Sequence, residues 1–178
     1  ELSYNDLIQL SNELRSRLIN ITDSVGGHLA SNLGVVEITL ALHTIFNSPT
    51  DKFLWDTSHQ TYIHKMLTGR LDKMYSIKQY KGLSGFAKIA ESEHDIFGAG
   101  HASTSLSAAI GVAQARNALK ESYSVVCVLG DGGLSGGMAY EALNNIKELN
   151  GNFICILNDN DMSISPPVGA MANYITSI

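Results

Sequence analysis

The 178-residue chain is poor in cysteine and in charge, has no basic excess and carries no long apolar run. Each of these shortages removes a class of function. Only 16% of residues are charged, and 12 Lys and Arg against 17 Asp and Glu leave a net charge of −5 with no basic stripe, which argues against a nucleic-acid partner. The two cysteines, Cys127 and Cys155, form no CxxC and show no metal-ligand spacing. Both sit in apolar runs, where they are expected as small buried hydrophobes in a reducing compartment. No apolar run reaches membrane-spanning length, since Val35-Val36 is cut by Glu37, and no signal-peptide pattern opens the chain. With Glu rather than Met at position 1 and an apolar stretch, Met171-Ala172-Asn173-Tyr174-Ile175, near its end, the chain is expected to be part of a longer polypeptide.

What is present is a hydrophobic fraction of 44%, enough for one well-buried α/β domain spanning 1–178. Its organising stretch is residues 124–166. The β-branched run Val125-Val126-Cys127-Val128-Leu129 stops at Gly130-Asp131-Gly132-Gly133. A helical pattern follows (Met138, Ala142, Ile146, Leu149), then a second apolar run, Phe153-Ile154-Cys155-Ile156-Leu157, which ends at Asn158-Asp159-Asn160. Two short all-apolar runs with a helix between them predict a βαβ unit whose parallel strands are buried on both faces. Ligands of such sheets bind beyond the carboxyl ends of the strands, so the topology predicts Asp131 and Asn160 side by side. Carboxylate, amide and carbonyl oxygens suit a hard cation such as Mg2+, and the glycines beside Asp131 admit a phosphate group to the backbone. Taken singly, each cluster also fits a plainer role, Asp131 as a helix cap and Asn158-Asp159-Asn160 as a polar turn.

Upstream, Ser3 with Asp6 predicts a capping box, and Leu7, Leu10, Leu14 and Leu18 a helix to about residue 20. Residues 25–34 read as a loop of glycine and small polar residues, 35–46 as an amphipathic helix and 52–55 as a short strand. Residues 70–93 have a weak pattern, with Gly82-Leu83-Ser84-Gly85-Phe86 expected as an exposed or mobile loop. His94-Asp95-Ile96-Phe97 is expected as a strand that turns through Gly98-Ala99-Gly100 into a helix of small residues. The amino terminus of that helix is a natural anion site. The alternation of strands and helices predicts one doubly wound parallel sheet with helices on both faces.

Six motifs occur in order: Gly27-His28-Leu29-Ala30-Ser31, Trp55-Asp56-x-x-His59-Gln60, His64-Lys65-x-Leu67-Thr68-Gly69-Arg70, Glu91-Ser92-Glu93-His94-Asp95, Gly100-His101-Ala102-Ser103-Thr104-Ser105 and Asn158-Asp159-Asn160-Asp161-Met162-Ser163-Ile164-Ser165. Together with the 29 positions from Asp131 to Asn160, they resemble the 1-deoxy-D-xylulose-5-phosphate synthases, thiamine-diphosphate enzymes related to transketolase. The resemblance covers the whole chain and corresponds to that family's first domain, with the pyrimidine-binding and C-terminal domains absent here.

It implies thiamine diphosphate and Mg2+ as cofactors. Asp131 and Asn160 would ligate the metal by side chain and Met162 by its backbone carbonyl. Gly132, Gly133, Gly100, His101 and Ala102 would lie against the diphosphate, with His59 on that side too. His28 and Ser31 would face the substrate near the thiazolium ring, Ser31 also counting among the cofactor contacts. His28, His59 and His101 are then the candidate catalytic histidines, since imidazole titrates near neutrality. His43 is expected to be structural, and His64 and His94 stand between packing and function.

The implied chemistry is decarboxylation of pyruvate and transfer of the two-carbon unit to D-glyceraldehyde 3-phosphate, in a homodimer of a bacterial cytoplasm or plastid stroma. The product would feed isoprenoid, thiamine and pyridoxal precursors. Ser58 stands where the family has glycine, and Ile63 where it often has proline. The glutamate that activates the cofactor in these enzymes comes from a second domain, so this chain alone is expected to be inactive. Two further readings are a split-transketolase N-terminal subunit and a non-catalytic cofactor-binding or assembly module.

Overall fold

The computed structural model describes residues 2–149, 151–159 and 170. Helix α1 (Tyr4–Val25) opens with the predicted capping box: Ser3 N–H donates to Asp6 Oδ2 (2.8 Å) and Asp6 N–H to Ser3 Oγ (3.3 Å). Its inward stripe of Leu14, Leu18 and Ile21 carries the helix past residue 20, to a stop at Gly26 with φ +78°. Residues 25–34 are not simply a loop, because Leu29–Leu33 forms a short helix, α2, before α3 (Val36–Ile45).

Strand β1 (Lys52–Trp55) pairs in parallel with β2 (Val125–Gly130), and β2 in parallel with β3 (Phe153–Asn158), in the order β1-β2-β3. Between β1 and β2 lie α4 (Tyr62–Lys65), a wide, kinked π-type turn (Met66–Arg70), a 3-10 turn (Leu71–Ser76) and α5 (Ser105–Ala118). Between β2 and β3 lie α6 (Asp131–Leu134) and α7 (Gly137–Asn145). Successive side chains of a strand point to opposite faces, and the packing follows that alternation. Leu54, Val125 and Cys127 meet the small residues of α5 and Ala142 of α7, while Phe53, Trp55, Val126 and Val128 meet Leu42 of α3. The sheet is therefore parallel with helices on both of its faces. From Val125 to Leu129 every side chain of β2 is at most 1% exposed, each burial stabilising by about 1.5–3 kcal/mol relative to exposure.

Three expectations are corrected. Strand β3 is not buried on both faces: it is an edge strand among the described residues, Ile154 and Leu157 are 37% and 40% exposed, and Cys155 is exposed while Cys127 is buried. The segment 82–86 is packed rather than exposed, because Leu83 joins the core formed by α1, α3 and α4. Residues 94–97 form no strand, since the Asp95 carboxylate is drawn into a buried charge network instead.

Candidate functional site

The register Gly130↔Asn158 sets the ends of β2 and β3 level. Asp131 begins α6 directly after β2, and Asn158 and Asp159 leave β3 beside it. The capping role open to Asp131 is not realised: Gly130 is the N-cap of α6 and no side-chain cap bond forms. The Asp131 carboxylate is half-buried and makes no hydrogen bond among the described residues. A Cβ at Gly132 or at Gly100 would meet nothing within 4 Å, so both backbones are open to a ligand. Gly133 is closed, its backbone lying against the Asp56 carboxylate.

An unpaired carboxylate beside an open glycine backbone, at the carboxyl edge of a parallel sheet, fits a metal-bound diphosphate. Asn160 and Met162, the other two predicted Mg2+ ligands, lie outside the described residues. Among the described residues no three His, Cys, Asp or Glu side chains form a group that could hold a metal ion.

At the amino terminus of α5 an internal carboxylate takes part of the donor set: Ser103 N–H, just before the helix, and Ser105 N–H, its first residue, both donate to Asp56 (2.9 and 3.1 Å). Gly100 and His101 are exposed just upstream, Ala102 is half-buried, and the His101 ring Nδ1 lies 2.9 Å from the Ala102 carbonyl. Among the described residues no ring contact or hydrogen bond joins His101 to His28 or His59, so the structure brings together two of the three candidate histidines.

His28 and His59 meet edge to face with ring centroids 5.5 Å apart, and Phe86 lies 5.4 Å from His28. Asn32, fully buried on α2 just beyond the half-buried Ser31, holds the pair. Its Nδ2 donates to the carbonyls of His28 (2.6 Å) and His59 (2.8 Å), and its Oδ1 accepts from Tyr62 N–H (2.8 Å). Two acceptors and one donor fix the orientation of this amide. The Tyr62 hydroxyl accepts from His28 N–H (3.2 Å) and lies 3.1 Å from His28 Nδ1. When the phenolic proton is donated to Nδ1, the His28 ring hydrogen sits on Nε2.

Burial pushes both imidazoles below the ordinary histidine value. His59 and Lys78 depress His28 further, against a raising bond to the Gly85 backbone, while Asp56 partly offsets the shift at His59. Both rings are accordingly neutral at pH 7. His59 Nδ1 is buried without a partner among the described residues.

A second polar cluster lies behind β1. His43 Nε2 is 2.9 Å from His64 Nδ1, and His64 Nε2 is 3.3 Å from Asp95 Oδ1. Arg70 grips Asp95 through both terminal nitrogens (2.7 and 2.8 Å), and Lys65, fully buried, pairs with Glu91 at 2.5 Å. The cluster ties α4 to the segment 84–95: Glu91 accepts from Ser84 N–H (2.6 Å) and Asp95 from Lys88 N–H (2.9 Å). His64 and His43 are therefore scaffold groups, and His94 joins them at the rim, its Nδ1 2.9 Å from Ser48 Oγ.

Ser58 shows how the turn after β1 is held. Thr57 and Ser58 both have positive φ (+56° and +67°), a conformation that costs a non-glycine residue about 1 kcal/mol or more. Ser58 is fully buried, and its Oγ accepts from Ala87 N–H at 3.0 Å, which fastens the segment carrying Phe86 behind His28. Replacing Ser58 by alanine keeps the backbone strain and orphans the Ala87 amide, for a loss of about 1–3 kcal/mol. Glycine orphans the same amide but relaxes φ, so S58G is expected to be about 1 kcal/mol more stable than S58A. Equal midpoints for the two in urea denaturation would show that Ser58 is not strained.

With this geometry, solved structures of like fold include transketolases. The chain matches the transketolase of Leishmania mexicana with a TM-score of 0.81 at 18% identity, covering 96% of this chain and 30% of that one. It matches the transketolase of Pichia stipitis with a TM-score of 0.79 at 19% identity, covering 98% and 30%. The fold is the α/β thiamine-diphosphate-binding fold of the transketolase kind.

Sequence narrows this further. The 1-deoxy-D-xylulose-5-phosphate synthase family profile matches residues 1–178. Over 178 residues the chain is 57% identical to the synthase of Alkaliphilus oremlandii and 56% identical to that of Caldanaerobacter subterraneus subsp. tengcongensis. The chain belongs to the 1-deoxy-D-xylulose-5-phosphate synthase family. These alignments take in all of this chain and 28% and 29% of the two relatives.

Sequence reasoning passed over Asn32 and Tyr62, and quoted Asp56 only as part of a motif, with no role of its own. Asp56 left one signal, a carboxylate placed directly after a buried strand. Asn32 left none, because its amide joins residues 27 and 30 positions away.

Proposed function

We propose that this chain is the diphosphate- and Mg2+-binding domain of a synthase that decarboxylates pyruvate and transfers the two-carbon unit to D-glyceraldehyde 3-phosphate. The observation that carries the reading is the level ending of β2 and β3. It sets the unpaired Asp131 carboxylate and the open Gly132 backbone beside the segment that leads to Asn160. Asp131, Asn160 and the Met162 carbonyl would hold Mg2+, while Gly132 and the 100–102 segment would hold the diphosphate. Thiamine diphosphate, when bound, supplies the carbanion equivalent and the electron sink that decarboxylation needs.

The chain's own residues position and move protons. His28, in the tautomer that carries its ring hydrogen on Nε2, would be a neutral donor toward a carbonyl oxygen. His59 would offer its buried Nδ1, unpartnered among the described residues, and Phe86 and Tyr62 pack against the His28 ring. The activating glutamate and the pyrimidine pocket would come from a second domain or subunit, and the working unit would be a homodimer.

The test is product analysis on the longest natural polypeptide that contains this sequence, given thiamine diphosphate, Mg2+, pyruvate and D-glyceraldehyde 3-phosphate. Release of CO2 with a five-carbon 1-deoxyketose phosphate is expected. Two-carbon transfer from a ketose phosphate without CO2 would mean transketolase chemistry, and neither reaction would leave a non-catalytic module. In the same polypeptide, Asp131→Asn is expected to weaken Mg2+-dependent cofactor binding by on the order of 100-fold. Unchanged affinity in calorimetric titration would remove Asp131 from the metal site.

A further inference from the structure

Asp56 follows β1 directly and is 2% exposed. Its Oδ2 accepts from Ser103 N–H (2.9 Å), and its Oδ1 accepts from Ser105 N–H (3.1 Å) and the Ser105 hydroxyl (2.8 Å). Both oxygens act as acceptors of amide hydrogens, which is the pattern of the ionised carboxylate. Among the described residues no Lys or Arg forms an ion pair with it. A buried charge without a counter-ion is costly, and here it is offset by charge-assisted hydrogen bonds and by the positive end of the fourteen-residue helix α5. Asp56 is thus an internal anion lodged where an external one was expected.

The knot extends further. Ser103 Oγ donates to the Gly133 carbonyl at 2.6 Å. A Cβ at Gly133 would collide with Asp56 Oδ2, and one at Gly136 with Ser103 Oγ. The α6 turn and the segment entering α5 are therefore pressed against one carboxylate, and their separation is set by it. These are the two segments that the proposed function gives to the diphosphate, at Gly132 and at residues 100–102.

We propose that Asp56 is a positioning residue for cofactor binding: without touching the ligand, it sets the spacing between the α6 turn and the 100–105 segment, so that both reach one diphosphate. This rests on the function proposed above. Asn at position 56 keeps the size of the side chain but turns an NH2 group toward an amide hydrogen, which breaks at least one of the ties.

The experiment uses the full-length polypeptide with three readouts. Hydrogen exchange of the cofactor-free D56N protein is expected to be about tenfold faster than wild type at 103–105 and at 131–134, with α1 unchanged. Equilibrium titration with thiamine diphosphate in Mg2+ is expected to show affinity reduced about 10- to 100-fold, the range for groups that orient ligand-binding residues. The KM for pyruvate should hold.

Should D56N not fold, Ser103→Ala cuts only the link to Gly133. It is expected to raise exchange at 131–134 alone and to lower affinity in the same direction. Wild-type protein that binds no thiamine diphosphate overturns the proposed function and this inference with it. Wild type that binds, with D56N or S103A binding equally well, overturns the inference alone, as does unchanged exchange at both segments.

Discussion

Replacing Asp95 by alanine is expected to lower the unfolding free energy by about 3–5 kcal/mol, the cost of breaking a buried ion pair from one side. Removing the carboxylate leaves the Arg70 guanidinium without its two-pronged partner, the Lys88 amide without an acceptor and His64 Nε2 facing nothing. Against a typical total of about 5–15 kcal/mol this is a large share, and urea denaturation measures it. A loss under about 1 kcal/mol would mean that the cations are relieved by solvent.

The same cluster sets an acid limit. Burial, together with the charges of His64 and His94, lowers His43 to about 4. A folded value below the unfolded 6.5 means the unfolded chain binds the extra proton, so stability is complete above about pH 6.5 and falls as pH drops toward 4. Burial alone would raise the Asp95 carboxyl, but bonds from His64, Arg70 and the Lys88 amide outweigh it and hold it well below the usual carboxylate range. Its contribution is intact above about pH 4 and is lost only under stronger acid. Unfolding midpoints measured from pH 7 to 3 should therefore decline through two windows, the upper one reduced but not abolished by a His43→Phe substitution, since burial lowers His28, His59 and His64 as well.

Asn32→Ala is expected to cost roughly 3 kcal/mol, since it strands two part-buried carbonyls and one buried amide at about 1–3 kcal/mol each. The consequence for chemistry is separate from the loss of stability. The His28 and His59 backbones are tied to each other through this amide, so their rings lose a fixed relation while the α6 turn is untouched. Turnover is expected to fall about 100-fold with cofactor affinity unchanged, the size of effect that misplacement by about 1 Å produces. Asn32→Asp, equal in size but unable to donate, should do the same. Normal turnover in a folded Asn32→Asp protein would show that the histidine pair needs no clamp.

The parts of the fold legible in the sequence were those written in short-range pattern. The runs 125–129 and 153–157 each announce a strand by β-branched apolar density. Lys52–Trp55 was read with its observed bounds, and Ser3 with Asp6 announced the cap of α1. The level ends of β2 and β3 followed from parallel topology, which needs only the order of elements, while Asn160, expected beside Asp131, lies outside the described residues. What escaped was long-range polar pairing. Arg70 with Asp95, Lys65 with Glu91 and Asn32 with the His59 carbonyl connect segments 25 to 27 positions apart with no periodicity to betray them. For the same reason 94–97 looked like a strand: Ile96-Phe97 has the composition of one, while the charge of Asp95 decided its course. Cys155 was misplaced because an apolar run shows that a strand exists but not whether both its faces are covered.

Trp55, buried at the end of β1 one residue before Asp56 and 5.8 Å from His64, is the single tryptophan of these 178 residues. The intrinsic emission of this domain is thus that of one indole, shielded from water and lodged between the acid-sensitive cluster and the carboxylate knot. Protonation of His64 beside the ring is expected to quench that emission, an optical gauge of the buried cluster that needs no label.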